Sequence, residues 1–215
     1  MSVPAEDGGL RVVGTHARIG LSRRAGPLDL HVPTGSAVVL RGPNGSGKTC
    51  ALAFLTGRVP PMAGTGHLEG RSLQRARRLG MVLGFGPDLL APRTSRFSRW
   101  AEARRRCFGT GRAELRAAVE RWEVSGYWDE PFSRLSAGMR WRCALAFAFA
   151  QTGVLICLDE PDAHLDRMGQ ELLAEELTAG LARSSCVGVV ASHHLPTIPG
   201  VPDVAISWCK DSPVR

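Results

Sequence analysis

The stretch Gly42-Pro43-Asn44-Gly45-Ser46-Gly47-Lys48-Thr49 gathers the residue types that a bound phosphate chain needs. Its glycines let successive backbone N–H groups curl around phosphate oxygens, and a helix starting at its end adds the positive end of a dipole. Lys48 is then set to reach the β- and γ-phosphates of a nucleoside triphosphate, and the Thr49 hydroxyl to ligate Mg²⁺. Arginine carries almost all the positive charge of this chain, whose only lysines are Lys48 and Lys210, so a lysine in this loop stands out. The alternative is a glycine-rich turn with an incidental lysine. Even the full match to G-x-x-x-x-G-K-[ST] implies no more than triphosphate binding.

A second group closes the apolar run Val154-Leu155-Ile156-Cys157-Leu158, where Asp159 and Glu160 precede Pro161. Strand alternation turns adjacent side chains apart, so Asp159 suits the Mg²⁺ shell and Glu160 suits polarising an attacking water. Alone, such a pair also fits a helix N-cap or a solvated turn. Further on, apolar Cys186 to Ala191 ends in Ser192-His193-His194. A histidine at the carboxyl end of a strand, on the same sheet edge as the loop, can contact a γ-phosphate and its water. Of the two we assign His193; a histidine in a surface loop is the competing reading.

These residues need a sheet to hold them. Leu10 to Ile19, Gly26 to Pro33 and Ser36 to Arg41 read as strands, the first two as an antiparallel edge and the third as a buried parallel strand. Gly47 to Leu55 reads as a helix, ended by Gly57, Pro60 and Pro61, and Arg78 to Phe85 as a further strand. Phe97 to Trp122 has a helical, arginine-rich pattern. The remainder alternates: helix Ala137 to Gln151, strand Val154 to Asp159, helix Met168 to Arg183, strand Cys186 to Ser192, strand Asp203 to Trp208. This predicts an α/β fold: a P-loop NTPase core with a mostly parallel sheet, an antiparallel β edge at the N-terminus, and a helical subdomain inserted at about 87–145. All of it forms a single domain over 1–215, with the core at 10–86 and 146–208.

Composition narrows the class. A hydrophobic share of 44% excludes a mostly disordered chain. The run Cys143 to Ala150 falls far short of the roughly 20 apolar residues that span a bilayer. The beginning MSVPAEDGG lacks the basic and apolar regions of a signal peptide, and a cytoplasmic setting is expected. The six cysteines form no CxxC pair and read as reduced thiols. A net charge of +7 suits nucleic acid or an anionic membrane surface, or simply a solvated arginine-rich lobe.

With Leu135-Ser136-Ala137-Gly138-Met139, which looks like an LSGGQ signature before a helix, the chain from about Leu10 to Trp208 resembles the ATP-binding cassette (ABC) ATPases. The resemblance implies that the signature of one cassette closes over ATP held in the loop of another, so that Ser136 and Gly138 meet the γ-phosphate in trans. It places Asp166, at the end of Glu160-Pro161-Asp162-Ala163-His164-Leu165-Asp166, at the contact between cassettes, and gives His193 the role of switch histidine. The loop residues Gly42 to Thr49 together with Cys50 become the ATP site, Glu160, His193 and Lys48 the catalytic set, and Thr49 and Asp159 the Mg²⁺ ligands.

The sequence also departs from the family. No glutamine lies between Gln74 and Gln151, so the metal-sensing glutamine expected near Phe85 or Gly86 is missing. No aromatic for stacking on adenine occurs near Ile19, Met139 replaces the signature glutamine, and Cys50 a common second threonine. The expected function is that of an ATP-binding and ATP-hydrolysing transport subunit, using ATP and Mg²⁺. It would pair with a second cassette and power separate transmembrane permease subunits from the cytoplasmic face of the membrane, with no nucleic-acid partner. Two alternatives stay open: a degenerate cassette that binds ATP with little turnover, and a non-transport ABC ATPase acting on nucleic acid or ribosomes.

Overall fold

The computed structural model of the chain describes residues 8–19, 23–85 and 94–206. Two sheets and a set of helices form the layers. The strands β1 (Gly9–Ile19) and β2 (Arg23–Pro33) pair antiparallel, as their alternation predicts. They form a sheet of their own, in the order β2-β1-β4-β5, with β4 (Pro61–Leu68) and β5 (Arg71–Ser72). The second sheet is parallel throughout, in the order β6-β7-β8-β3-β9. Its strands are β3 (Ala37–Arg41), β6 (Val82–Phe85), β7 (Leu155–Asp159), β8 (Val187–Ala191) and β9 (Asp203–Ala205).

The parallel strands are apolar along their whole length because both of their faces are covered. Val38, Leu40, Leu155 and Cys157 join the core that also contains Leu10, Leu30 and the helix residues Phe54 and Leu55. Their neighbours Val39, Ile156 and Leu158 enter a second core with Phe97, Trp100, Trp122, Trp141 and Phe147. Alternate residues of one strand thus serve opposite layers. One core lies under the antiparallel sheet and α1 (Lys48–Leu55); the other lies under α3 (Phe97–Phe108), α4 (Arg112–Arg121) and α5 (Ala137–Phe149). Burial in apolar surroundings pushes the Cys143 thiol up to about 12 and raises those of Cys157 and Cys186 as well, so all three stay protonated and behave as small hydrophobes.

Several boundaries differ from the sequence expectation. The strand expected over Arg78 to Phe85 is only its second half, because α2 (Leu73–Arg78) buries Leu73 and Ala76 on one helical face while Leu79 stays 58% exposed. Pro61–Leu68 is a strand despite two glycines and a proline, held by pairing with β1 from Leu10↔Leu68 to Ala17↔Pro61. The helical run Phe97 to Trp122 is two helices, parted at Gly109-Thr110-Gly111. The helix expected over Met168 to Arg183 is α6 (Arg167–Glu175), a π-helical turn (Glu176–Gly180) and α7 (Leu181–Ser184). In that turn the Thr178 hydroxyl donates to the Ala174 carbonyl at 3.1 Å, and the buried Glu176 carboxylate pairs with Arg121 of α4 at 2.7 Å. The strand expected over Asp203 to Trp208 is described only to residue 206, and Trp208 lies outside the described residues.

Leu55 is fully buried between α1 and the sheets. Leu55→Ala should cost about 2–5 kcal/mol of stability through lost burial and the cavity left behind. Urea unfolding checks this, and a loss below 1 kcal/mol (on the order of a surface substitution) would place Leu55 outside the core.

Candidate functional site

The loop Gly42 to Gly47 joins the end of β3 to the start of α1. Pro43, Asn44 and Gly45 form its exposed crest. Gly47, the N-cap of α1, has φ 100°, a left-handed conformation in which a side chain is strained. From there α1 begins at once, so the N–H groups of Lys48 and Thr49 belong to the helix start that borders the loop. Ser46 and Lys48 are buried, Thr49 is exposed and Cys50 is half-buried. The Lys48 ammonium donates to the backbone oxygens of Gly42 at 2.8 Å and Pro43 at 3.4 Å.

At the end of β7, Asp159 accepts a hydrogen bond from Thr49 Oγ1 at 2.9 Å. Burial pushes its carboxyl above the usual carboxylate range; the Thr49 hydrogen bond opposes this, the Glu160 charge adds to it and the Lys48 charge opposes it. Glu160 follows in a left-handed backbone conformation, φ 49°, which strains a residue with a side chain. Its N–H donates to the Ala191 carbonyl at the end of β8, at 2.8 Å. Glu160 Oε1 lies 3.9 Å from the Lys48 ammonium and accepts from His193 Nδ1 at 2.7 Å.

Two buried atoms in this cluster, Glu160 Oε2 and Ser46 Oγ, have no hydrogen-bond partner among the described residues. Buried polar atoms without a protein partner are where a ligand or water is expected. Together with the N–H groups of the first turn, they fit a phosphate chain and a water. Thr49 and Asp159 also fit Mg²⁺, which takes one or two protein oxygens and completes its shell with phosphate and water. No cluster of three or more His, Cys, Asp and Glu able to hold a metal alone occurs among the described residues.

The structure thus brings together Lys48, Thr49, Asp159, Glu160 and His193, and it separates the two histidines. His193 faces Glu160, while His194 stacks at a tilt against the His193 ring with centroids 3.9 Å apart. Ser192 sets this arrangement: it is fully buried, and its hydroxyl oxygen accepts from the N–H groups of His194 at 3.1 Å and Leu195 at 3.0 Å. Sequence reasoning missed Ser192. Its signal was a serine between an apolar strand and two polar residues, a composition that favours a side-chain-to-backbone turn.

Ser136 and Gly138 share no hydrogen bond with this cluster among the described residues. Ser136 is exposed and caps α5, its hydroxyl oxygen accepting from the Met139 N–H at 3.2 Å. Asp166 caps α6 in the same way, accepting from the Gly169 N–H at 2.9 Å. Phe85 pairs with Leu158 at the end of β6, next to the strand end that carries Asp159; its side chain, that of Ile19, and Gly86 lie outside the described residues.

A parallel sheet with a glycine-rich loop at the carboxyl end of one strand and acidic residues at the end of another defines the P-loop nucleotide-binding class. The ABC transporter family model matches residues 25–163. The cytochrome c biogenesis ATP-binding export protein CcmA of Pseudomonas syringae is 32% identical over 179 residues, covering 80% of this chain and 82% of that protein. The hemin import ATP-binding protein HmuV of Streptomyces coelicolor is 36% identical over 204 residues, covering 90% of this chain and 70% of that protein. The molybdenum import ATP-binding protein ModC of Mycobacterium tuberculosis is 34% identical, and this chain spans 50% of its length. The fold matches CbiO1 of Clostridium perfringens, part of the cbiONQ complex, with a TM-score of 0.68 at 20% identity over 87% of this chain and 79% of that one. It also matches a bacterial Atm1-family exporter with ATP bound, with a TM-score of 0.75 at 20% identity over 95% of this chain and 38% of that one. The chain belongs to the ABC transporter family, as an ATP-binding subunit of its transport ATPases.

The raised Asp159 carboxyl has a stability consequence. Its folded pKa lies above the unfolded one, so the contribution is favourable below the unfolded pKa and is lost as pH rises through the folded pKa. At neutral pH the ionised group opposes folding. Asp159→Asn, which keeps an acceptor for Thr49, should therefore stabilise the nucleotide-free chain and raise its melting temperature in calorimetry at pH 7.5. A lower melting temperature would contradict this reading.

Proposed function

We propose that this chain binds Mg–ATP in the loop Gly42 to Thr49 and Cys50 and hydrolyses it only when a second cassette closes over the nucleotide. The observation that carries the reading is the Glu160 carboxylate, with one oxygen shared between His193 and Lys48 and the other buried with no hydrogen-bond partner among the described residues. In hydrolysis the oxygen of a water attacks the γ-phosphorus, the bond to the β-phosphate oxygen breaks, and Glu160 polarises the water and accepts its proton. His193 holds Glu160 in place and faces the γ-phosphate. Lys48 exchanges its carbonyl partners for the β- and γ-phosphate oxygens. Mg²⁺, held by Thr49 and Asp159, supplies charge neutralisation on the phosphate oxygens.

Ser136, Gly138 and the N-terminus of α5 act on the ATP of the second cassette, and Asp166 lies at the contact between the two. This agrees with an exposed Ser136 that takes no part in its own chain's cluster. Residues 87–145 act as a helical lobe on a core of residues 10–86 and 146–208, within one domain spanning 1–215. The division runs through α5, whose Trp141 and Phe147 pack in the core shared by both parts. Among the described residues no helix is long and apolar enough to cross a membrane. In this reading separate permease subunits supply the transmembrane path and the chain works at the cytoplasmic face, which the likeness to ATP-binding proteins of an exporter and an importer supports. No nucleic-acid partner belongs to this reading. A second reading, slow turnover, is favoured by the lack of a glutamine near Phe85 or Gly86, where the resemblance to the family expects one.

Steady-state ATPase assays test the proposal. Glu160→Gln should lower turnover by about 10²–10⁴-fold and leave ATP trapped in a dimer visible by analytical ultracentrifugation. Wild-type turnover well above background that the variant matches would remove Glu160 from the reaction, and wild-type turnover at the assay background would favour the second reading.

A further inference from the structure

The two carboxylates and one guanidinium where α5, α6 and the end of α4 meet take no part in the ATP cluster. Arg142, on α5, is 17% exposed on its side chain, yet both of its partners are exposed acids. Its Nη2 donates to Asp166 Oδ1 at 2.6 Å, and its Nη1 donates to Glu123 Oε2 at 3.2 Å. The oxygen that Arg142 holds is the same one that caps α6 through the Gly169 N–H. These two donors, the Gly169 N–H first and Arg142 second, hold the Asp166 carboxyl below the usual range, so it is ionised and paired throughout the neutral region.

One turn before Arg142 on α5, the helix comes against the same segment a second time. A side chain at Gly138 would collide with the His164 carbonyl, so only glycine permits this approach. The N-terminal turn of α5 and the segment from His164 to Asp166 are therefore fastened at two points: a backbone contact at Gly138 and a charged clasp at Arg142. On the other side, Glu123 follows the end of α4 in a left-handed conformation, φ 56°, which brings its carboxylate to the second arm of Arg142. An ion pair with an exposed carboxylate adds little stability, so the value of this clasp is its geometry.

We infer that Arg142 is a positioning residue that holds Ser136 and Asp166 in one rigid spacing, so that Ser136 meets the nucleotide of the opposite cassette as Asp166 meets that cassette's surface. The inference rests on the paired-cassette reading above. Glu123 gives the same guanidinium a hold on α4, so movement of the helical lobe reaches Asp166 through one side chain. Arg142 is not a catalytic residue: it acts through Asp166 and α5, and the cluster of Lys48, Thr49, Asp159, Glu160 and His193 in its own chain stays intact without it.

Arg142→Ala should therefore leave ATP affinity, measured by calorimetry under non-hydrolysing conditions, within about twofold of wild type, and its circular dichroism melt within a few degrees. Its kcat should fall at least about tenfold, a loss that a stabilising role alone would not produce in a chain that still folds and binds. Arg142→Lys, which reaches one carboxylate but not both, should recover part of the rate. Mixing Arg142→Ala with Lys48→Ala chains should raise activity above either alone, since one composite site then has an intact loop and an intact opposing Asp166. Wild-type-like kcat in Arg142→Ala would overturn the inference, as would a loss of ATP affinity matching the loss of rate. A mixture no more active than its parts would overturn it also. If the wild-type chain neither pairs nor hydrolyses ATP, the paired-cassette reading itself fails and this inference goes with it. If wild type does both and Arg142→Ala matches it, only this inference fails.

Discussion

An ammonium group is costly to bury without partners, and the site is built around one: Lys48 is 7% exposed. The carbonyls of Gly42 and Pro43 satisfy it, and Glu160 gives a distant opposite charge. Everything else in the site follows from keeping that cation buried yet ready to change partners. The backbone must curl so that its carbonyls reach the ammonium just before a helix begins, which accounts for the left-handed Gly47. The opposing carboxylate must be near but not fused to it, which accounts for the 3.9 Å gap to Glu160 and its closer bond to His193.

The parallel sheet makes this arrangement possible by bringing three strand ends to one edge. β3 delivers the loop, β7 delivers Asp159 and Glu160, and β8 delivers His193, and β8 lies between the other two in the strand order. The strand core is apolar on both faces, so the polar chemistry is confined to the ends. Strain is stored in the same place: Glu160 is held with φ 49° by its N–H bond to Ala191 and by Pro161 after it. The proposed base thus combines a strained backbone with a buried carboxylate oxygen that has no hydrogen-bond partner among the described residues.

The chemistry was more legible in the sequence than the architecture around it. Gly42 to Thr49 and the Asp159-Glu160 pair carry local patterns that lie at strand ends in the folded chain, and His193 is the one of the two histidines that contacts Glu160. Pro61–Leu68 was invisible because its strand state comes from pairing with β1, which local composition does not encode. Leu79 and Met81 made Arg78 to Phe85 look like one apolar strand, yet Leu79 is exposed and the chain before it is helical. The π-helical turn at Glu176–Gly180, where Glu176 pairs with Arg121, and the capping by Ser192 of two backbone N–H groups beyond the strand do not follow from periodicity. Arg142 looked like one more member of an arginine-rich stretch until α5 placed it against Asp166 and Glu123.

The central claim is that the buried Lys48 ammonium is the phosphate-binding charge of this chain. Calorimetric titration with Mg–ATP of wild type and Lys48→Met, both confirmed folded, tests it most directly. Loss of a charge-assisted contact of about 1.5–3 kcal/mol predicts an affinity lower by more than about tenfold in the variant. Equal affinity in the two proteins would mean that nucleotide binds elsewhere, and the account would be contradicted.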